Sequence, residues 1–294
     1  MEPRPIAHIG VLVADVEPAR KHWANALGRP FSPIVRYRSN SWSDFADPAP
    51  HANDLRQTIY VGTDPSIEVQ EFVNNGTHSA SRGEGGHHIG FPPVADNNAR
   101  RRELADIGVR MDGQVNHDGR WIIQFTDARA LNNVATEWVE ASPGHLDLKD
   151  DGSPVDRLPD GSTTVFDAEA INAVGPERPV SGIVDVGVLV SDLPAAVRIW
   201  SAVTGYEFEM LESPESSAVS RGTIPAVRLV EVSVGPVREG LKYAVVETES
   251  TEATRARLRR SGVPLSVDVV VPDEVEIDPV YLNGFSLRFR RRPE

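Results

Sequence analysis

Four polar side chains stand mid-strand where apolar ones belong: His8 in AHIGVLVAD, Glu68 in SIEVQEF, His88 in GGHHIGF and Glu137 in NNVATEWVE. A half-buried strand turns alternate residues to one face, so each of the four can project into the concave side of a curled sheet. They lie on four different strands, and separation along the chain does not prevent convergence. A lone inward histidine is ordinarily a hydrogen-bonded core residue. Two imidazoles and two carboxylates together are a donor set for a divalent metal ion such as Zn, Ni, Co, Mn or Fe. Alternation also places the neighbours. His87 turns outward from His88, Gln70 shares the face of Glu68, Glu71 takes the opposite face, and Glu140 points to solvent. His22, His51, His78, His117 and His145 fall on helix faces or loops, where a solvated histidine is expected. Tyr60, Arg36, Trp121 and Gln124 are candidates to line a pocket. Gly83 to Gly86 precedes a strand rather than a helix, which argues against a phosphate loop.

The elements that would carry these side chains follow a repeating order. Pro5–Val13 reads as a strand and 16–27 as a helix capped by Asp15, with Ala19, Trp23 and Leu27 inward and Gly28 as its stop. A possible strand at Ile34–Tyr37 and strands at Gln57–Val61 and Ser66–Val73 complete one unit. His87–Phe91, a helix over Asp96–Ile107, and strands at Val109–Met111, Trp121–Thr126 and Val134–Val139 make a second.

The opening is then written again. VDVGVLVSDLPAAVRIWSAVTG, from Val184, matches AHIGVLVADVEPARKHWANALG, from Ala7, without a gap and at an offset of 177 (187 − 10 for the glycines). The second copy predicts strands at Ile183–Val190, Ala226–Ser233, Leu241–Val246, Val267–Val271 and Phe285–Phe289, with helices over 193–204 and 251–260. Between the copies, 143–180 is acidic and rich in Gly and Pro, and reads as a linker. The expected architecture is α+β: four strand–helix–strands units paired into two cup-shaped, mostly antiparallel domains, 1–142 and 181–294.

The two copies differ at the polar positions. Asp185 replaces His8, Lys242 or Tyr243 replaces His88, Leu287 falls on Glu137, and Glu231 is a possible match to Glu68. All eight histidines lie in the first half of the chain and none in the second copy, so an imidazole site belongs to the first copy and the second reads as degenerate, without a metal site.

Bulk properties narrow the partners. A net charge of −13 argues against nucleic acid and anionic membrane surfaces, and the absence of cysteine removes disulfides, thiolate ligands and cysteine nucleophiles. The N-terminal MEPRPIAHIG has no apolar signal core and no apolar run is long enough to span a bilayer, which predicts a cytoplasmic protein.

The unit order, the HHIGF stretch, the D-x-x-x-A helix starts and the closing T-E-W-V-E strand resemble the vicinal oxygen chelate superfamily. This group includes glyoxalase I, methylmalonyl-CoA epimerase, extradiol dioxygenases and bleomycin- or fosfomycin-resistance proteins. The resemblance covers nearly all of the chain outside the linker, as a tandem two-domain member. It implies metal ligands at His8, Glu68, His88 and Glu137, one by one. It also implies a small-molecule substrate with a carbonyl or vicinal oxygens, and a possible homodimer. The implied activity is that of a metal-dependent isomerase, epimerase or lyase abstracting a proton beside a metal-bound carbonyl, with Glu137 and Glu68 as candidate bases. One alternative is an Fe(II) or Mn(II) ring-cleaving dioxygenase using His8, His88 and Glu137. Such dioxygenases lack a ligand at the Glu68 position and commonly carry their metal in the second of two domains. The other alternative is a non-catalytic binding or resistance protein.

Overall fold

A computed structural model of the chain describes residues 3–60, 63–73, 75–117, 120–140, 181–211, 216–223, 225–232, 238–267 and 273–292. The linker expected at 143–180 and most of the strand expected at Val267–Val271 lie outside the described residues. The first half runs β1 (His8–Val13), α1 (Val16–Leu27), β2 (Val35–Ser43), β3 (His51–Tyr60), the two-residue β4 (Thr63–Asp64) and β5 (Ser66–Glu71). It continues with β6 (Gly85–Gly90), α2 (Asn97–Asp106), β7 (Met111–His117), β8 (Arg120–Thr126) and β9 (Ala135–Val139). The second half runs β10 (Ser181–Val190), α3 (Leu193–Thr204), β11 (Phe208–Leu211), β12 (Ser217–Ser220), β13 (Ala226–Glu231), β14 (Gly240–Thr248), α4 (Thr251–Arg260), β15 (Glu274–Glu276) and β16 (Ser286–Arg291). The fold is α+β, as the unit pattern predicts. Strands β2 and β3 are longer than their predicted segments, and β11, β12 and β15 had no prediction, because their polar, alternating sequences carry little apolar signal.

The first-half strands close into a barrel in the order β1-β5-β3-β2-β7-β8-β9-β6, whereas the second-half strands form a sheet in the order β11-β12-β13-β10-β14-β16-β15, with β4 joined to the start of β10. Only β1–β5 and β6–β9 pair in parallel within the barrel. The two units of the first half meet where β1 runs antiparallel to β6. That seam fixes the site.

Local rules set the helices. Asp15 caps α1 and Asp192 caps α3, each accepting a backbone N–H of the first turn, and both helices end on a left-handed glycine, Gly28 and Gly205 at φ 77°. Glu71 and Glu231 occupy matching strand ends and accept the first helical N–H groups, of Val16 and Leu193. Trp23 and Trp200 are fully buried.

The halves dock reciprocally. Arg100 of α2 donates to the Val203 carbonyl at the end of α3, and Arg257 of α4 donates to the Asn25 and Ala26 carbonyls at the end of α1, at 3.1 and 2.8 Å. Glu84 accepts from Asn283 at 2.9 Å, and Glu239 accepts from Asn132 at 3.2 Å, so each half inserts one carboxylate to meet an asparagine of the other. A single core cluster runs through both halves, with the Trp23 ring tilted against Phe285, 5.7 Å between centroids. No helix among the described residues is long and apolar enough to cross a membrane.

Candidate metal centre

The β1–β6 seam brings the two histidines together through a reciprocal exchange. Each strand carries His-Ile-Gly, and antiparallel pairing sets His8 opposite Gly90 and Gly10 opposite His88. A Cβ on Gly10 would lie 1.9 Å from the His88 ring, and one on Gly90 would lie 2.0 Å from the His8 ring. Each glycine is therefore the cradle of the other strand's imidazole. Glu68 arrives from β5, beside Gly10, and Glu137 arrives from β9, beside Gly90.

The four predicted side chains converge: each offers a donor atom, and these atoms all lie within 4.8 Å of one another. His8 Nε2 is 2.7 Å from Glu137 Oε2 and 3.0 Å from His88 Nε2. Glu68 Oε2 is 3.4 Å from His88 Nε2 and 3.8 Å from His8 Nε2, and it accepts a hydrogen bond from Gln70 Nε2 at 3.0 Å. Two imidazole nitrogens facing each other with two carboxylates need a positive charge between them. Borderline nitrogen and oxygen donors converging inside a barrel fit a divalent ion.

His88 is fully buried. Burial alone would lower its pKa, but hydrogen bonds to Glu137 and Glu68 and their charges outweigh it and push it up to about 9. Glu137 is the complement. Burial alone would raise its carboxyl, but the charge of His8 and hydrogen bonds from both imidazoles hold it well below the ordinary carboxylate range.

His87 departs from the outward placement expected of it. The β1–β6 pairing passes from Gly10↔His88 to Val11↔Gly86, a bulge that leaves His87 without a cross-strand partner and breaks the alternation. The ring is buried, with Nε2 2.8 Å from the Thr77 carbonyl and Nδ1 2.9 Å from His88 Nδ1. Burial, with the charge of His88 beside it, keeps His87 neutral. The carbonyl only accepts, so His87 Nε2 donates to it and His87 Nδ1 accepts from His88 Nδ1. That assignment leaves His88 Nε2 to offer its lone pair inward, the arrangement a metal-ligating histidine needs.

His78 is the other residue that sequence reasoning missed. It ends a 3-10 turn, Gly76–His78, and is buried rather than solvated. Its ring lies 4.8 Å from Phe125 and 5.4 Å from Trp42, and burial, then the charge of His88, lowers its pKa to about 3. Nothing local in the sequence signals an inward turn. The cavity above the centre, about 210 Å³, is walled by residues such as Trp42, Leu55, Ile123 and Phe125. The four expected lining residues lie elsewhere. Gln124 bonds to Asn97 on the opposite face of β8, Trp121 stacks under Arg101, Tyr60 packs on Phe31, and Arg36 is exposed beside Asp54.

Strand register also identifies the second-half counterparts. Gly187 pairs with Arg228 and with Tyr243, as Gly10 pairs with Glu68 and with His88. A Cβ on Gly187 would lie 1.9 Å from the Tyr243 ring. Val245, opposite Asp185, pairs with Arg288, as Gly90, opposite His8, pairs with Glu137. The counterparts are therefore Asp185, Arg228, Tyr243 and Arg288. The expected matches Leu287 and Glu231 are corrected: Leu287 is one residue out of register, and Glu231 matches Glu71. Two carboxylates have become two guanidiniums. Arg228 grips Asp185 at 2.8 Å and Arg288 lies 4.1 Å over the Tyr243 ring, so this cluster already contains its cations.

No curated protein matches the sequence. Among solved structures, a triple mutant of 4-hydroxymandelate synthase from Streptomyces coelicolor is similar, with TM-score 0.63 and 13% identity over 99% of this chain and 93% of that one. A catechol 2,3-dioxygenase gives TM-score 0.54 and 11% identity over 100% of this chain and 90% of that one. A halotolerant catechol dioxygenase gives TM-score 0.52 and 11% identity over 99% and 87%. At such identities the likeness is one of fold. Residues 7–125 match the family described as the glyoxalase/bleomycin resistance protein/dioxygenase superfamily. That match covers most of the barrel and three of its four converging side chains, so the first half of the chain belongs to the vicinal oxygen chelate superfamily.

Proposed function

We propose that His8, Glu68, His88 and Glu137 hold one divalent metal ion and that the protein is a metal-dependent isomerase, epimerase or lyase. The observation that carries this reading is Glu68, whose carboxylate joins the other three donors. A three-ligand dioxygenase site would leave it idle. A divalent ion held there supplies Lewis acidity to a substrate oxygen. Glu137, tied to His8 at 2.7 Å and kept strongly acidic, is a poor proton acceptor. Glu68 is held by longer contacts and one amide hydrogen bond, so it is the freer base. It takes the proton from the carbon beside the substrate carbonyl. Returning that proton to a neighbouring carbon, or to the opposite face, gives an isomer or an epimer. Loss of a leaving group instead gives a lyase. Trp42 and Phe125 line the same cavity as the Glu68 carboxylate.

The test is solvent-deuterium exchange at the carbon next to the carbonyl of an α-hydroxyketone, followed by NMR. Glu68→Gln should abolish exchange and retain most of the metal. Glu137→Gln should lose metal first. If both variants exchange at the wild-type rate, or wild-type protein carries no metal after growth with added Zn, Mn and Fe, the reading fails and a non-catalytic binding protein takes its place. A second reading, an Fe(II) or Mn(II) ring-cleaving dioxygenase, is favoured by solved neighbours that are catechol dioxygenases. Oxygen uptake with catechols would establish it over the first. The division into 1–142 and 181–294, the second without a catalytic ion, is part of the proposal and rests on the guanidiniums at Arg228 and Arg288.

A further inference from the structure

The joint between the halves carries a second cluster of charged side chains, outside the four-donor site. Strands β6 and β14 begin side by side there, and a Cβ added to Gly86 would lie 2.3 Å from the Leu241 carbonyl oxygen. The two strand openings are equivalent. Gly85 and Gly240 pair with Leu12 and Leu189, and His88 and Tyr243 pair with Gly10 and Gly187. Lys242 therefore holds in β14 the bulged position that His87 holds in β6. A pocket of about 40 Å³ opens at this joint, and its lining includes Arg82 from the first half with Arg238 and Lys242 from the second.

None of these three cations forms an ion pair among the described residues. Arg82 donates to the Asn133 carbonyl at 3.3 Å and keeps a buried Nε without a partner, while Arg238 donates to the Arg82 carbonyl at 2.8 Å. The carboxylates of the same pocket, Glu84 and Glu239, are engaged elsewhere. Glu84 accepts from the Ala14 amide at 2.7 Å and from Asn283, and Glu239 accepts from the Ser191 amide at 2.6 Å and from Asn132. The cations repel one another instead: burial first, then the charge of Arg238, lowers the pKa of both Arg82 and Lys242. Three neighbouring like charges, two of them half-buried, are destabilising alone, and an anion between them offsets both repulsion and desolvation.

Size restricts what fits. One water needs roughly 10–15 Å³ of such space. About 40 Å³ admits about three oxygen atoms and excludes a ring. Guanidinium and ammonium groups are the donors that suit oxyanion oxygens. We propose that this joint binds a compact oxyanion of phosphate size, free or as the end group of a small ester, held by Arg82, Arg238 and Lys242. The site is separate from the metal centre, and its occupant ties the two halves together.

The experiment titrates the full chain with inorganic phosphate, and separately with glycerol phosphate, by calorimetry at fixed ionic strength. Thermal unfolding is followed with and without phosphate. Phosphate should raise the Tm of the wild-type protein. Lys242→Gln should weaken phosphate binding about tenfold, the effect of losing one charge-assisted hydrogen bond, and Lys242→Arg should retain it. In phosphate-free buffer Lys242→Gln should melt no lower than wild type, because it removes a repelled charge and no hydrogen bond to a described residue. Arg238→Gln should weaken binding to a similar degree. Tighter binding of inorganic phosphate identifies the free ion as the occupant, tighter binding of glycerol phosphate an ester, and either supports the site. Phosphate affinity unchanged in Lys242→Gln would overturn the proposal, since phosphate held at the barrel's centre does not depend on Lys242. A Tm lowered equally in both buffers would show a purely structural lysine and also overturn it, as would the absence of binding of either probe at millimolar concentration.

Discussion

His88 sits between two carboxylates, and without an ion a proton occupies the space. Because its folded pKa is raised to about 9 from an ordinary 6.5, it is protonated through neutral pH. The protonated imidazole stabilises the metal-free fold fully below pH 6.5, and that contribution is lost as pH rises through about 9. An incoming ion must displace this proton. Metal binding at pH 7.5 should therefore release close to one proton from His88, measured by calorimetry in buffers of different ionisation enthalpy, and affinity should climb with pH until about 9. Release of no proton would remove His88 from the ligand set. His87 supplies a second prediction. Alternation alone implies that its loss leaves the metal in place, whereas the bonded chain from the Thr77 carbonyl through His87 to His88 implies otherwise. His87→Phe should weaken metal affinity by about 10- to 100-fold in a competition titration. The four converging side chains were legible in the sequence because a histidine or glutamate mid-strand is out of place. His87 and His78 were not, because a bulge and a 3-10 turn re-aim side chains without a distinctive local residue pattern.

Strand pairing is the element that turns those residues into a site. The two His-Ile-Gly segments can interlock only antiparallel and in one register, since each glycine must face the other's imidazole. Gly90→Ala should push against His8, cost about 1–3 kcal/mol in urea unfolding and lower metal content. Gly182→Ala, where an added Cβ meets nothing within 4 Å among the described residues, is the matched control. The helices and most strands were readable from capping residues and apolar periodicity, and α3 and α4 span the predicted ranges 193–204 and 251–260. What failed was parity on β8. The face carrying Ile123 and Phe125 enters the cavity, so Gln124 and its hydrogen bonds fall outside it. An amphipathic strand whose two faces are both buried gives no sequence signal for which side is concave.

At the scale of the whole molecule, duplication has produced two halves that brace each other and have diverged in chemistry. Arg100 and Arg257 close each other's neighbouring helices, and Glu84 and Glu239 mirror one another across the joint. The repeat itself was legible from 22 matched positions without a gap. Its consequence at the last strand was not, because one inserted residue moved the equivalence from Leu287 to Arg288. With Arg228 and Arg288 in place of Glu68 and Glu137, the second half should take up no catalytic ion, and the chain should bind one ion in total. The most direct measurement is a crystal structure of protein loaded with Mn(II) or Zn(II), with the ion located by anomalous scattering. The account predicts one peak per chain, with His8, Glu68, His88 and Glu137 donor atoms roughly 2.0–2.2 Å from it. A peak bound only by His8, His88 and Glu137, with Glu68 turned away, or a peak beside Asp185, would contradict it.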